Sequence, residues 1–125
     1  MVWNQMSADE IRKGYRRGRL SIAISTDDGQ TWINRRNLEV NPGCDATVTH
    51  VEPPSLAAMV RGPSGPDEIM SEIPDGYNRY HYATIFLSQD KIFINYAVTP
   101  LDGSVGESRW RVFPISWLYE SKRDA

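Results

Sequence analysis

The sequence predicts an all-β domain with one short N-terminal helix and a long Pro/Gly-rich loop. Four runs alternate apolar and polar residues with a period of two, two of them are separated by only three turn-forming residues, and helix-boundary signals cluster at one place. In chain order the helix comes first. Ser7 and Glu10 make a capping box, Met6 and Ile11 are spaced for a hydrophobic staple, and Gly14 supplies a left-handed stop two turns later. Asp9 and Glu10 at its start and Arg12 and Lys13 at its end suit the helix dipole.

The first strand runs from Arg19 to Thr26, with Leu20, Ile22 and Ile24 on one face and Ser21, Ala23 and Ser25 on the other, the pattern of a half-buried strand. A weaker strand covers Asn37 to Val40. Tyr80 to Leu87 and Lys91 to Val98 are rich in β-branched and aromatic residues and are joined by Ser88-Gln89-Asp90, which reads as a β-hairpin. Arg109 to Phe113 is the last strand; after Pro114, the large apolar residues of Ile115 to Tyr119 need a place to be buried. Between Val40 and Arg79 the alternation stops. That stretch holds four of the nine glycines and six of the eight prolines, and Pro63, Pro66 and Pro74 exclude regular structure from its centre. One helical turn fits at Ser55 to Val60.

At 125 residues, 40% hydrophobic and 24% charged, the chain has the makeup of one small globular domain. No stretch approaches the roughly 18 apolar residues of a membrane span. Met1-Val2-Trp3-Asn4-Gln5 has neither the basic region nor the apolar run of a secretory signal, so the sequence as written predicts a cytoplasmic product. The net charge is -2, with both signs interspersed, which gives no footprint for nucleic acid or an anionic membrane. Cys44 is the single cysteine and has no partner for an internal disulfide. Cys44, His50 and His81 lack metal-ligand spacing, so neither metal nor cofactor is expected.

Ser25-Thr26-Asp27-Asp28-Gly29-Gln30-Thr31-Trp32 is the most specific feature. It fits the pattern S-x-D-x-G-x-T-W directly after an amphipathic strand. Asp27 can accept hydrogen bonds from the turn backbone, Gly29 supplies a positive φ, and Trp32 can pack beneath the turn. The pattern is structural. An EF-hand is excluded because Leu38 stands where its last carboxylate is needed.

This segment resembles the Asp box of sialidase-type β-propellers, and the resemblance runs along nearly the whole chain. Val2-Trp3-Asn4-Gln5, Arg16 to Ser25, the box and Asn37-Leu38-Glu39 look like the penultimate blade of bacterial sialidase-like (BNR repeat) glycoside hydrolases. Tyr80 to Ile85, Lys91 to Val98 and Arg111 to Tyr119 look like their last blade. The resemblance implies a partial β-propeller of about two antiparallel blades out of six. Residues 1–40 are penultimate-blade-like, 41–79 a loop or insertion, and 80–125 last-blade-like.

In that family three arginines hold the substrate carboxylate, a tyrosine is the nucleophile, a glutamate activates it, and an aspartate is the general acid. The resemblance places the third arginine at Arg17, with Arg19 as the alternative, and the tyrosine at Tyr82, with Tyr80 as the second choice. A guanidinium forks a carboxylate, and a tyrosine becomes nucleophilic only beside a base. Plainer readings stand next to these. Arg17 sits in a basic run with Arg12, Lys13, Arg16 and Arg19, Tyr80 and Tyr82 could be a stacked pair on one strand face, and His81 then points the other way as a packing side chain.

Glu39, Glu52 and Glu72 are available carboxylates, and none matches the family glutamate, so catalysis by this chain alone is not expected. The leading expectation is a truncated sialidase-like domain that self-associates into a homo-oligomer to cover its edges and binds a glycan or acidic sugar through Arg17 and Tyr82. The alternatives are an exo-glycosidase completed by other subunits and a non-catalytic interaction module using the loop from Pro42 to Pro74.

Overall fold

The computed structural model of the chain describes residues 1–7, 10, 15, 17–44 and 74–120. These form two three-stranded antiparallel sheets. The first contains β1 (Val2–Trp3), β2 (Arg19–Ile24) and β3 (Ile33–Val40) in the order β1-β2-β3. The second contains β4 (Asn78–Ser88), β5 (Lys91–Pro100) and β6 (Glu107–Pro114) in the order β4-β5-β6, followed by a one-turn helix α1 (Ser116–Tyr119).

The all-β expectation holds, and its finer parts are corrected. A propeller blade carries four strands. Each sheet here has three, and the described residues form no closed or propeller arrangement. A one-turn helix, α1, lies near the C-terminal end of the described residues, and Glu10, inside the helix expected at the N-terminal end, is itself helical. Of the helix expected from Ser7 to Gly14, only Ser7 and Glu10 are among the described residues; their capping box is made, with Ser7 N donating to Glu10 Oε1 at 2.9 Å and Glu10 N to Ser7 Oγ at 3.1 Å. The turn expected at Ser55 to Val60, Glu52, Glu72 and most of the loop from Pro42 to Pro74 lie outside the described residues.

The core lies between the sheets. On the central strand β5, Ile92, Ile94, Tyr96 and Val98 alternate inward and meet Leu20, Ile22 and Leu38 of the first sheet, with Tyr80 and Leu118 closing the cluster. β2 is buried on both faces, because Ser21 and Ala23 are as inaccessible as Leu20 and Ile22. That corrects the half-buried reading: a central strand with small residues on its second face reads in sequence like an exposed one. At the end of the sandwich Phe113 stacks on Trp117 at 4.1 Å, Arg36 lies 4.5 Å over the Trp117 ring, and Asn34 Nδ2 donates to Leu118 O at 2.9 Å, which ties α1 to β3.

β2 and β4 belong to different sheets, and two asparagine amides span them. Asn4 Nδ2 donates to Arg19 O at 2.9 Å and to Tyr80 O at 3.0 Å. The buried Asn41 Nδ2 donates to Gly18 O at 2.9 Å and to Asn78 O at 2.5 Å, while its Oδ1 accepts from Asn78 N at 2.8 Å. Tyr80 N donates directly to Arg17 O at 2.8 Å. Gly18 is needed for this close approach, since a Cβ there would lie 2.8 Å from Tyr77 Cζ and 3.0 Å from Cys44 Sγ.

Removing the Asn41 amide leaves the half-buried N–H and C=O of Asn78 without these partners and takes the buried donor from Gly18 O. Asn41→Ala is expected to destabilise the fold by about 2–3 kcal/mol. Urea denaturation followed by tryptophan fluorescence measures this, and a change within about 0.5 kcal/mol would contradict the bridging role.

Candidate functional site

The candidate site forms where the residues before β2 meet the middle of β4. Arg17 has a left-handed backbone (φ 52°), and so does Tyr82 (φ 57°). Such conformations are costly for residues with a Cβ and persist only where neighbours enforce them. At Tyr82 the cause is a β-bulge. His81 pairs with Ala97 and Thr84 with Asn95, so Tyr82 and Ala83 together oppose Tyr96 alone.

The bulge separates the two candidate tyrosines. Tyr80 turns inward, packs edge-on against Tyr96 at 6.2 Å, and has its phenol pKa raised, first by burial and then by the Glu39 charge. Tyr82 turns outward and is 78% exposed. They are therefore no stacked pair. Tyr82 stacks on His81 instead, with ring centroids 4.6 Å apart and planes 17° from parallel, and its other ring face is open.

His81 joins the parts and is no packing side chain. Arg17 Nη1 lies 3.0 Å from His81 Nδ1, and His81 Nε2 lies 2.8 Å from Thr99 Oγ1. A guanidinium can only donate, so Nδ1 is the acceptor, the ring proton sits on Nε2, and Thr99 Oγ1 accepts it. Burial lowers the His81 pKa, and the positive charges of Arg17 and Arg79 lower it further. The neutral imidazole thus orients an exposed arginine. With one Nη engaged, the rest of the fork is left to pair with a carboxylate beside the open Tyr82 ring. Arg17 makes no salt bridge among the described residues.

Arg19, the alternative to Arg17, is buried and its fork is occupied. Nη1 and Nη2 donate to the two oxygens of Glu10 at 2.8 and 2.7 Å, and Nη1 also donates to Gln5 O at 3.0 Å. Burial likewise keeps Tyr80 from solvent, so neither second choice is presented to a ligand. Tyr82 has no hydrogen-bonded carboxylate among the described residues. Tyr96 does touch one: its hydroxyl donates to Glu39 Oε1 at 2.7 Å, and Arg109 Nη1 donates to the same oxygen at 2.6 Å. Tyr96 is fully buried, and desolvation together with that hydrogen bond pushes its pKa up to about 12, the wrong direction for a nucleophile.

The contacts expected within the segment from Ser25 to Trp32 are made in the β2–β3 turn. Asp27 Oδ1 accepts from Thr31 N at 2.8 Å and Oδ2 from Thr31 Oγ1 at 2.6 Å. Ser25 Oγ donates to Asp27 Oδ1 at 2.8 Å and accepts from Gly29 N at 2.8 Å. The Thr31 hydroxyl, the Thr31 N–H and the Ser25 hydroxyl hold the Asp27 carboxyl below its ordinary pKa. Gly29 has φ 86° and lies over the half-exposed Trp32 ring.

Among the described residues no cluster of His, Cys, Asp or Glu is placed to hold a metal, and no helix is long and apolar enough to cross a membrane. Burial raises the Cys44 thiol pKa to about 11, which leaves it a poor nucleophile. Comparison with known proteins gives no match to a family model, a curated protein or a solved structure.

The site makes a pH prediction. An unfolded histidine titrates near 6.5 and folded His81 below it. As pH falls through 6.5 the unfolded chain takes up the proton first, so the stability His81 contributes at pH 7 is lost between 6.5 and its lower folded value. Imidazole nitrogen NMR is expected to show the Nε2–H tautomer and a midpoint below 6.5; a midpoint at or above 6.5 would contradict the Arg17–His81 contact.

Proposed function

We propose that this chain is a sialidase-like domain that binds a carboxylate-bearing sugar through Arg17 and Tyr82, associates with copies of itself, and does not hydrolyse the sugar alone. The observation that carries the proposal is the His81 bridge, which holds an exposed guanidinium on one side and a flat exposed tyrosine ring on the other. These are the two groups a charged sugar requires: a fork for its carboxylate and an apolar plane for the ring. The left-handed backbone at both residues adds support, since strain collects at binding sites. So does the Asp-box turn, with the hydrogen bonds its sequence pattern calls for.

Catalysis needs a base at the Tyr82 hydroxyl, and no described carboxylate is bonded to it. Binding without turnover is the consequence. Self-association is supported by sheets one strand short of a blade and by unpaired edges.

The test is a titration followed by amide and imidazole NMR, using free sialic acid and its methyl ester as probes. Sialic acid is expected to give saturable shifts at His81 and Tyr82, the ester none, and Arg17→Ala to weaken binding by about tenfold or more. A fluorogenic sialoside is expected to remain uncleaved. Equal binding of acid and ester, or no saturable shift at these residues, would overturn the sugar reading.

A further inference from the structure

Sheet edges invite pairing with other chains unless they are short, charged or broken by proline. Among the described residues, three of the four sheet edges carry such protection. β1 has two residues, β3 carries Arg35, Arg36 and Glu39, and β6 carries Glu107, Arg109 and Arg111 and ends at Pro114. The fourth, β4, reads Tyr-Ala-Thr-Ile-Phe-Leu-Ser from Tyr82 to Ser88, with no charge, proline or glycine. That is the composition of a segment that pairs readily with another extended chain.

The two halves of this edge differ. Before the bulge it is covered, because Tyr80 N donates to Arg17 O and Tyr80 O accepts from Asn4. Past the bulge no other described residue pairs with it. Ser88 pairs with Lys91 across a two-residue turn, so that pair exchanges the narrow hydrogen bonds, as do Phe86 with Phe93 and Thr84 with Asn95. The N–H and C=O of Ile85 and Leu87 therefore point away from β5. Ile85, Phe86 and Leu87 are 39%, 50% and 69% exposed, and Trp110 extends the apolar surface 5.8 Å from the Phe86 ring.

We infer that this edge docks a second copy of the chain: β4 pairs antiparallel with β4 of the copy about a two-fold axis, joining two three-stranded sheets into one of six strands. The charge pattern selects the occupant. Two-fold antiparallel pairing sets a segment against itself, so any charge on it would lie near its own copy, and among the described residues Tyr82 to Ser88 is the edge segment longer than two residues that carries none. The whole-chain charge of -2 opposes the approach only weakly. This inference rests on the self-association in the proposed function and is independent of the sugar.

The experiment is sedimentation velocity of the full chain over a wide concentration range, with Leu87→Lys and Ile85→Lys as edge variants and Val105→Lys, at a 95% exposed site off this edge, as control. Near-UV circular dichroism checks that each is folded. Amide exchange of the unmodified chain is measured at both concentration extremes. The expected result is a dimer at high concentration, weakened about tenfold or more by either edge variant and unchanged in the control, with the Ile85 and Leu87 amides slowing as the dimer forms. If the chain associates and both edge variants associate as strongly, the edge inference fails while self-association stands. Protection of these amides that is independent of concentration overturns it as well, since the edge would then be covered from within the chain. A monomer at every concentration overturns both the inference and the self-association.

Discussion

The two sheets share no continuous ladder, so the molecule depends on what joins β2 to β4. Apolar burial pulls the sheets together without setting their relative position, because it is non-directional. Direction comes from Asn4, Asn41 and the Tyr80 N–H, which reach from one sheet to backbone groups of the other. An amide suits the task, having a donor group for two carbonyls and an acceptor for an N–H. Where such a bond is buried, as between Asn41 and Gly18 O, its loss leaves a costly orphan.

The same contacts make the candidate site. Holding the Arg17 carbonyl against Tyr80 N–H places the Arg17 side chain next to His81, one residue further along β4. Two residues away, Arg19 anchors the segment from below through its buried bidentate pair with Glu10, an ion pair whose disruption would strand a charge in the interior. The left-handed backbone at Arg17 is thus restrained from both sides. On β4, the bulge turns Tyr80 into the core and Tyr82 out onto the imidazole. Arg17 is exposed and oriented, while Arg19, of the same type and two positions on, is buried and neutralised.

Much of the fold was legible because strand periodicity survives in sequence. The runs beginning at Tyr80, Lys91 and Arg109 lie within observed strands, the run from Arg19 overshoots β2 only by Ser25 and Thr26, and the β2–β3 turn follows from the spacing of Ser25, Asp27, Gly29 and Thr31. The β3 run was seen only from Asn37, since Ile33 to Arg36 lacks alternation and contains a left-handed Asn34. At the site, the residue types were legible and their arrangement was not. A bulge has no composition signal when its left-handed residue is a tyrosine, so strict alternation wrongly placed Tyr80 and Tyr82 on one face. His81 and Thr99 lie on different strands, and only the register shows that they meet. The asparagine bridges are equally silent, because Asn4 and Asn41 read as ordinary polar residues flanking strands.

Native-state hydrogen exchange of the Asn78 and Tyr80 amides tests the central claim most directly. Both donate across the β2–β4 junction, Asn78 to the Asn41 side chain and Tyr80 to Arg17 O. If the junction holds the sheets together, these amides open only with the β5 ladder, at the free energy of global unfolding and with its denaturant dependence. Exchange of either amide through a low-energy local opening, with β5 still protected, would show two sheets held by burial alone and would contradict the account.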